Sequence, residues 1–165
     1  MMVIPMRGQS RLEAIMWSIA LPGFSQLLMK QYWKGTLFIG LEFIINVQSN
    51  FNEAIMQSFL WNIEEAINVL DFQWIMFYPC LYMFAMWDAY KAVMDKEDEY
   101  AFLPFVFSAY FVTIGVMYST KLKLFHVLVG PIFLPMLFLI PGIASGLIIK
   151  FILLYIKKKR VQNEE

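Results

Sequence analysis

One cysteine and one histidine are all that 165 residues provide of two common metal-ligand types. A lone Cys80 excludes an internal disulfide and a cysteine-based zinc cluster, and a lone His126 excludes a histidine-rich metal site within one chain. Charge is equally scarce. Asp, Glu, Lys and Arg make up 16% of the chain, where a soluble domain carries roughly 25%. The 13 basic and 13 acidic residues cancel, and the basic ones are scattered until the tail Lys157 to Arg160, so nothing points to nucleic acid as a partner. Also missing are a glycine-rich phosphate loop, a nucleophile elbow, an H-E-x-x-H pair and paired carboxylates. No catalytic set, metal site or cofactor is expected.

Hydrocarbon takes the place of what is missing. The chain is 60% hydrophobic and 18% aromatic, with a mean hydropathy of +0.60, and the excess lies in long runs with few charges. A lipid solvent selects that pattern. The expected fold class is all-α: a polytopic integral membrane protein with about four transmembrane helices and interfacial amphipathic helices, forming a single membrane domain over residues 1–165.

The N-terminus imitates a signal peptide, with Arg7 and Arg11 ahead of an apolar stretch and Ser18 and Ala20 as small residues. Only four apolar residues separate Glu13 from Ser18, where a signal core needs about 7–15. An amphipathic helix over Ser10 to Ala20 is expected instead, with Leu12, Ile15, Met16 and Ile19 on one side and a basic flank at the headgroups. Leu21 precedes proline and should leave the helical region. Pro22 can then occupy the first turn of a second short helix. That helix, carrying Gln26, Lys30, Gln31 and Lys34, is too polar to cross lipid. Residues 1–34 are therefore read as lying on the cytoplasmic surface.

Span 1 is expected over 35–50, with Tyr32 and Trp33 at the interface. Over 52–71 the apolar positions Ile55, Met56, Phe59, Leu60, Ile63, Ala66, Ile67 and Leu70 follow the spacing of one helix face. Acids and amides take the other face, so this segment reads as an external amphipathic helix. Span 2 covers 74–92 with a kink at Pro79, and span 3 covers 101–118. The stretch 125–156 would make a helix of roughly 48 Å at 1.5 Å per residue, long for a core of ~30 Å. It is read as a kinked span 4 with its first third at the interface; a re-entrant pair broken at Gly130-Pro131, Pro135 or Pro141-Gly142 is the alternative. A basic tail, 157–165, follows. A faint likeness between "PGFSQLLMK" at Pro22 and "PGIASGLIIK" at Pro141 needs a one-residue gap and reads as coincidence.

Four crossings put Arg7, Arg11, Lys30, Lys34, Lys91, Lys96 and the tail on one side and leave Lys121 and Lys123 on the other. Positive charge stays inside. Both termini are then cytoplasmic, and the helix free of Lys and Arg at 52–71 is outside.

Pro22, Gly23, Gln26, Lys34 and Gly35, followed by Trp87, Asp88, Ala89 and Tyr90, resemble small bacterial membrane proteins of the TM2-domain type. Those read roughly "PGxGQ-x-Y-x-G-x-x-x-KG" and continue into a helical hairpin with an aromatic-and-aspartate element. Here Ser25 stands where glycine is usual, Leu28 lies near the usual tyrosine, and the halves are farther apart. The resemblance covers Pro22 to about Ala92. It implies a hairpin scaffold with cytoplasmic ends in a bacterial cell membrane, and no shared enzymatic activity. The hairpin would bring Asp88 near Lys34 and Gln26. There it would pair with Lys34 or accept from free N–H groups at the start of the Pro22 helix.

Glu42 is the sharper polar candidate. It lies inside span 1 with Asn46 four residues on, on the same helix face. An acid inside a membrane costs roughly 2.5–3.5 kcal/mol by insertion scales and marks a functional site by default. The competing reading is a hydrogen bond to a neighbouring helix, through Tyr82, Ser108 or Thr113, or to a second subunit. His126 reads as an interfacial polar tip, and Lys150 as a cation snorkelling toward the tail. The expected function is therefore a non-enzymatic membrane scaffold or accessory subunit. Its partners would be membrane lipids and either a protein partner or further copies of itself. The alternative is a subunit of a small oligomeric channel or transporter using Glu42, and an intramembrane enzyme ranks last.

Overall fold

Ser10 starts the first helix. Its hydroxyl accepts from the Glu13 N–H while the Glu13 carboxylate accepts from the Ser10 N–H, a reciprocal capping box ahead of α1 (Arg11–Ala20). The computed structural model describes residues 9–94 and 98–164; Arg7 and Lys96, two charges used for orientation, lie outside the described residues. Leu21 is extended and ends α1. Pro22 and Gly23 then form a type II turn. The Phe24 N–H donates to Leu21 O at 3.0 Å, and Gly23 takes φ 96° and ψ −16° at the position that requires a positive φ. Pro22 thus lies in the turn ahead of α2 (Phe24–Leu28) and not, as expected, within that helix. Lys30, Gln31 and Lys34 also fall outside α2, which is only five residues long.

α3 (Tyr32–Ser49) follows, three residues ahead of the expected start. The single amphipathic helix expected over 52–71 is broken. α4 (Phe51–Phe59) and α5 (Ile63–Val69) are separated at Trp61, whose φ is 65°. The Asn62 N–H closes back onto Gln57 O at 2.8 Å. The break lets both apolar faces turn onto the last helix: the rings of Phe59 and Trp61 lie 5.3 and 6.0 Å from that of Phe133. Asp71, expected on the solvated face, instead caps α6 (Phe72–Ile75) by accepting from the Gln73 and Trp74 N–H groups. Pro79 does not kink a span. It sits in the first turn of α7 (Tyr78–Ala92), where its missing N–H has no helical partner to lose. α8 (Leu103–Tyr118) begins the same way with Pro104.

Residues 125–129 are not helical. Lys123–Leu124 (β1) and Val127–Leu128 (β2) pair antiparallel. Phe125 and His126 make the turn at φ 50° and 68°, the positive values that match hairpin twist. α9 (Gly130–Glu164) then runs as one helix through Pro135 and Pro141. Its Gly130–Arg160 portion is the one helix among the described residues long and apolar enough to cross a bilayer. The pair Ile63–Val69 and Phe72–Ala92 passes that test only together, across an 87° bend, and α8 is shorter.

Two antiparallel seams organise the molecule. Along α3 and α7, Lys34 meets Asp88, Phe38 meets Phe84 with ring centroids 5.9 Å apart, and Glu42 meets Tyr78. Along α8 and α9 the contacts are closer. A Cβ added at Gly146 would lie 2.5 Å from Pro104 Cα, one at Gly142 2.8 Å from Ser108 Cα, and one at Gly115 2.7 Å from Pro135 Cα. Glycines four apart on α9 let two backbones approach. At the end of the molecule where α3 finishes, Ala54, Leu70, Ile75 and Val116 form a small apolar core.

Candidate functional site

The type II turn at Pro22-Gly23 lays α2 across the first turns of α3. Gly23 touches the backbone of α3: an added Cβ would be 2.5 Å from Gly35 O, and one on Gly35 would be 2.5 Å from the Leu27 side chain. No other residue fits either place. This contact drives Gln26, expected on a polar surface, into the interior, where it is fully buried. Its Nε2 donates to Ala85 O at 2.9 Å and to Asp88 Oδ2 at 3.2 Å. Both partners are oxygens, so the amide nitrogen must face them. The other Asp88 oxygen accepts from Lys34 Nζ at 2.6 Å.

Asp88 is therefore a two-sided clamp, with one oxygen on a buried amide and one on a cation that is half exposed. Pro22, Gly23, Gln26, Lys34, Gly35 and Asp88 are brought together. The free N–H groups of the short α2 are not Asp88's partners; the Gln26 side chain takes that role. Gln26 Oε1 is buried without a partner. Trp87 stands apart from the clamp, its ring 6.2 Å from Phe102 and 5.7 Å from Phe105 on the α8 side.

Glu42 lies two turns along the same seam. Tyr78 donates to Glu42 Oε1 at 3.2 Å and lies 3.4 Å from the Tyr82 hydroxyl. A hydroxyl has one proton to give. With Tyr78 donating to the carboxylate, Tyr82 donates to Tyr78, and a three-member chain crosses from α7 to α3. The expected bond to a neighbouring helix is present, with Tyr82 reaching Glu42 only through Tyr78; Thr113 instead donates to Ala109 O at 2.8 Å, and Ser108 lies on α8 against Gly142. Asn46 turns to α4, donating to Asn52 Oδ1 at 3.2 Å. The structure does not join it to Glu42.

Lys150, expected to reach toward the tail, pairs with Asp98 at 2.7 Å, and Lys157 pairs with Glu99. These pairs tie the end of α9 to the segment before α8. Tyr78 was not among the candidates, although its spacing of four from Tyr82 marks a polar stripe on α7. The α9 glycines were also passed over as contacts; their spacing of four was the available signal. Among the described residues no group of three or more His, Cys, Asp or Glu side chains is gathered for a metal ion. Comparison with protein families, curated proteins and solved structures finds no match to this chain.

Proposed function

We propose that the chain is a polytopic protein of a bacterial cell membrane with both termini cytoplasmic, serving as a non-enzymatic scaffold or accessory subunit of a membrane complex. The observation that carries this reading is that small side chains are fully buried while many large apolar ones face outward. The largest fully buried side chains are Leu134, Gln26, Pro22 and six serines, whereas Trp33 is 82% exposed and Phe43, Phe59, Phe151 and Tyr155 all face outward. A soluble protein buries its large apolar residues and shows its polar ones. Helices in lipid can leave large apolar residues outward and meet through small ones, because the solvent is as apolar as leucine and close backbone approach decides packing. The accessible surface agrees: it is 11260 Å², against about 8,500 Å² for a compact soluble chain of this mass.

Charge supports the orientation. Lys34 and Asp88, Arg11 over Tyr90, and the two ion pairs of α9 belong to the end where α3 starts and α7 and α9 finish. Lys121 and Lys123 belong to the hairpin end, as positive-inside sorting requires. The resemblance of Pro22 to Ala92 to TM2-domain proteins supports the same hairpin. Support for a scaffold comes from where the polar groups go: Gln26, Lys34, Asp88, Glu42, Tyr78 and Asn46 are all engaged in joints between helices. The apolar outer face of α3, with Trp33, Leu37 and Ile44, is left for lipid or a partner.

A second reading, a subunit of an oligomeric channel or transporter, is favoured by one observation, the chain of two tyrosine hydroxyls ending on Glu42. Purification after mild crosslinking separates the two. A stoichiometric partner of different sequence supports the scaffold. A discrete homo-oligomer whose flux disappears in Glu42→Gln supports transport and overturns the scaffold.

A further inference from the structure

We propose that the groove between α7 and α8 binds one acyl chain of an anionic phospholipid, whose phosphate is held by Arg11 and Lys91. The proposal rests on the membrane reading above and adds a ligand to it. The groove has a volume of about 410 Å³, within the ~300–1,000 Å³ range of small-molecule sites. Its walls are almost wholly hydrocarbon, and the Thr113 hydroxyl among them is already turned back onto Ala109 O. Such a surface offers few hydrogen-bonding groups to a sugar or a nucleotide and suits an alkyl chain.

The walls also point to the headgroup. From α7 the groove takes Cys80, Phe84 and Trp87, which fall on one stripe of the helix. Lys91, four residues past Trp87, is the next position on that stripe and is exposed. From the other side, the Phe105 ring of the groove wall lies 5.7 Å from that of Tyr90, and Arg11 Cζ stands 5.9 Å from the Tyr90 ring centre. Two cations therefore flank one mouth of an apolar groove.

Neither cation forms an ion pair among the described residues, where three acids at the same end are occupied: Asp88 by Lys34, Asp98 by Lys150 and Glu99 by Lys157. Among the described residues, Arg11 and Lys91 are thus cations outside any ion pair, placed where an amphipathic α1 would meet headgroups. A phosphate without a second positive group complements them, and a zwitterionic headgroup does so poorly.

Native mass spectrometry of the full chain, released from detergent with phosphatidylglycerol or phosphatidylcholine of the same acyl chains, tests the proposal. One retained phosphatidylglycerol is expected, preferred about tenfold or more over phosphatidylcholine by the action of two cations. Arg11→Gln with Lys91→Gln should abolish the preference. Ala109→Phe, which fills the groove, should remove the adduct for both lipids; if that variant does not accumulate, Val106→Trp on the outer wall serves instead. Lys121→Gln with Lys123→Gln, at the opposite end, should change nothing. Equal retention of both lipids, or a preference that survives the double substitution, overturns the site. A chain that stays dispersed without detergent would instead overturn the membrane reading itself, so the two failures are distinguishable.

Discussion

Asp88 holds one neutral partner and one charged partner, and the two are unequal. Gln26 is fully buried and without Asp88 would keep only the Ala85 carbonyl, whereas half of the Lys34 side chain reaches solvent. Asp88→Ala should therefore lower thermal stability in detergent by about 1–3 kcal/mol, the cost of a buried amide hydrogen left without an acceptor, with a matching fall in accumulation. Lys34→Met should cost less than Asp88→Ala, because half of the Lys34 side chain reaches solvent and Asp88 keeps the Gln26 amide. Normal abundance of Asp88→Ala with only activity lost would contradict the structural role. Glu42 poses a similar test. Glu42→Gln keeps an acceptor for Tyr78 and should melt within about 0.5 kcal/mol of the parent. Glu42→Leu leaves the tyrosine pair without its terminal acceptor and should cost about 1–3 kcal/mol.

Helices meet here through their smallest residues, so the glycines should respond by location. Gly146→Leu drives a side chain into the backbone of α8 at Pro104 and should destabilise by about 1–3 kcal/mol or more, the usual penalty of overpacking. Gly40 has no atom within 4 Å of an added Cβ. Gly40→Ala should stabilise α3 by roughly 0.5–1 kcal/mol through helix propensity alone. Melting curves of the two variants check both signs.

The elements also mark how far the sequence could be read. Helix type, the extent of α1 and its stop at Leu21 were legible, because each depends on neighbours within a turn or two. The break at Trp61 was not, since one amphipathic period runs unbroken across it; only the ring of Phe133, far along the chain, explains the fold-back. The shift of Pro79 from kink to helix start has the same origin. Proline specifies that the ladder is interrupted without saying on which side. The likeness of Pro22-Gly23 to Pro141-Gly142 carries no structural repeat, for one is a turn with a left-handed glycine and the other lies inside α9.

At the scale of the whole molecule, the clamp was legible in part. Pairing of Asp88 with Lys34 follows from a hairpin and from opposite charge. Burial of Gln26 was not foreseen, because an amide among lysines reads as surface until the two glycines bring α2 down onto α3. The placement of small side chains inside and large apolar ones outside is a property of the assembled helices and appears in no single segment. It makes the solvent around the molecule the central question, together with the number of times the chain crosses that solvent. The most direct measurement places a compartment-sensitive reporter at each end of the chain in intact cells and follows the membrane fraction through alkaline extraction. The account requires both ends to report the cytoplasm and the protein to stay with the membrane. Ends in opposite compartments, or release of the chain into the wash, would contradict it.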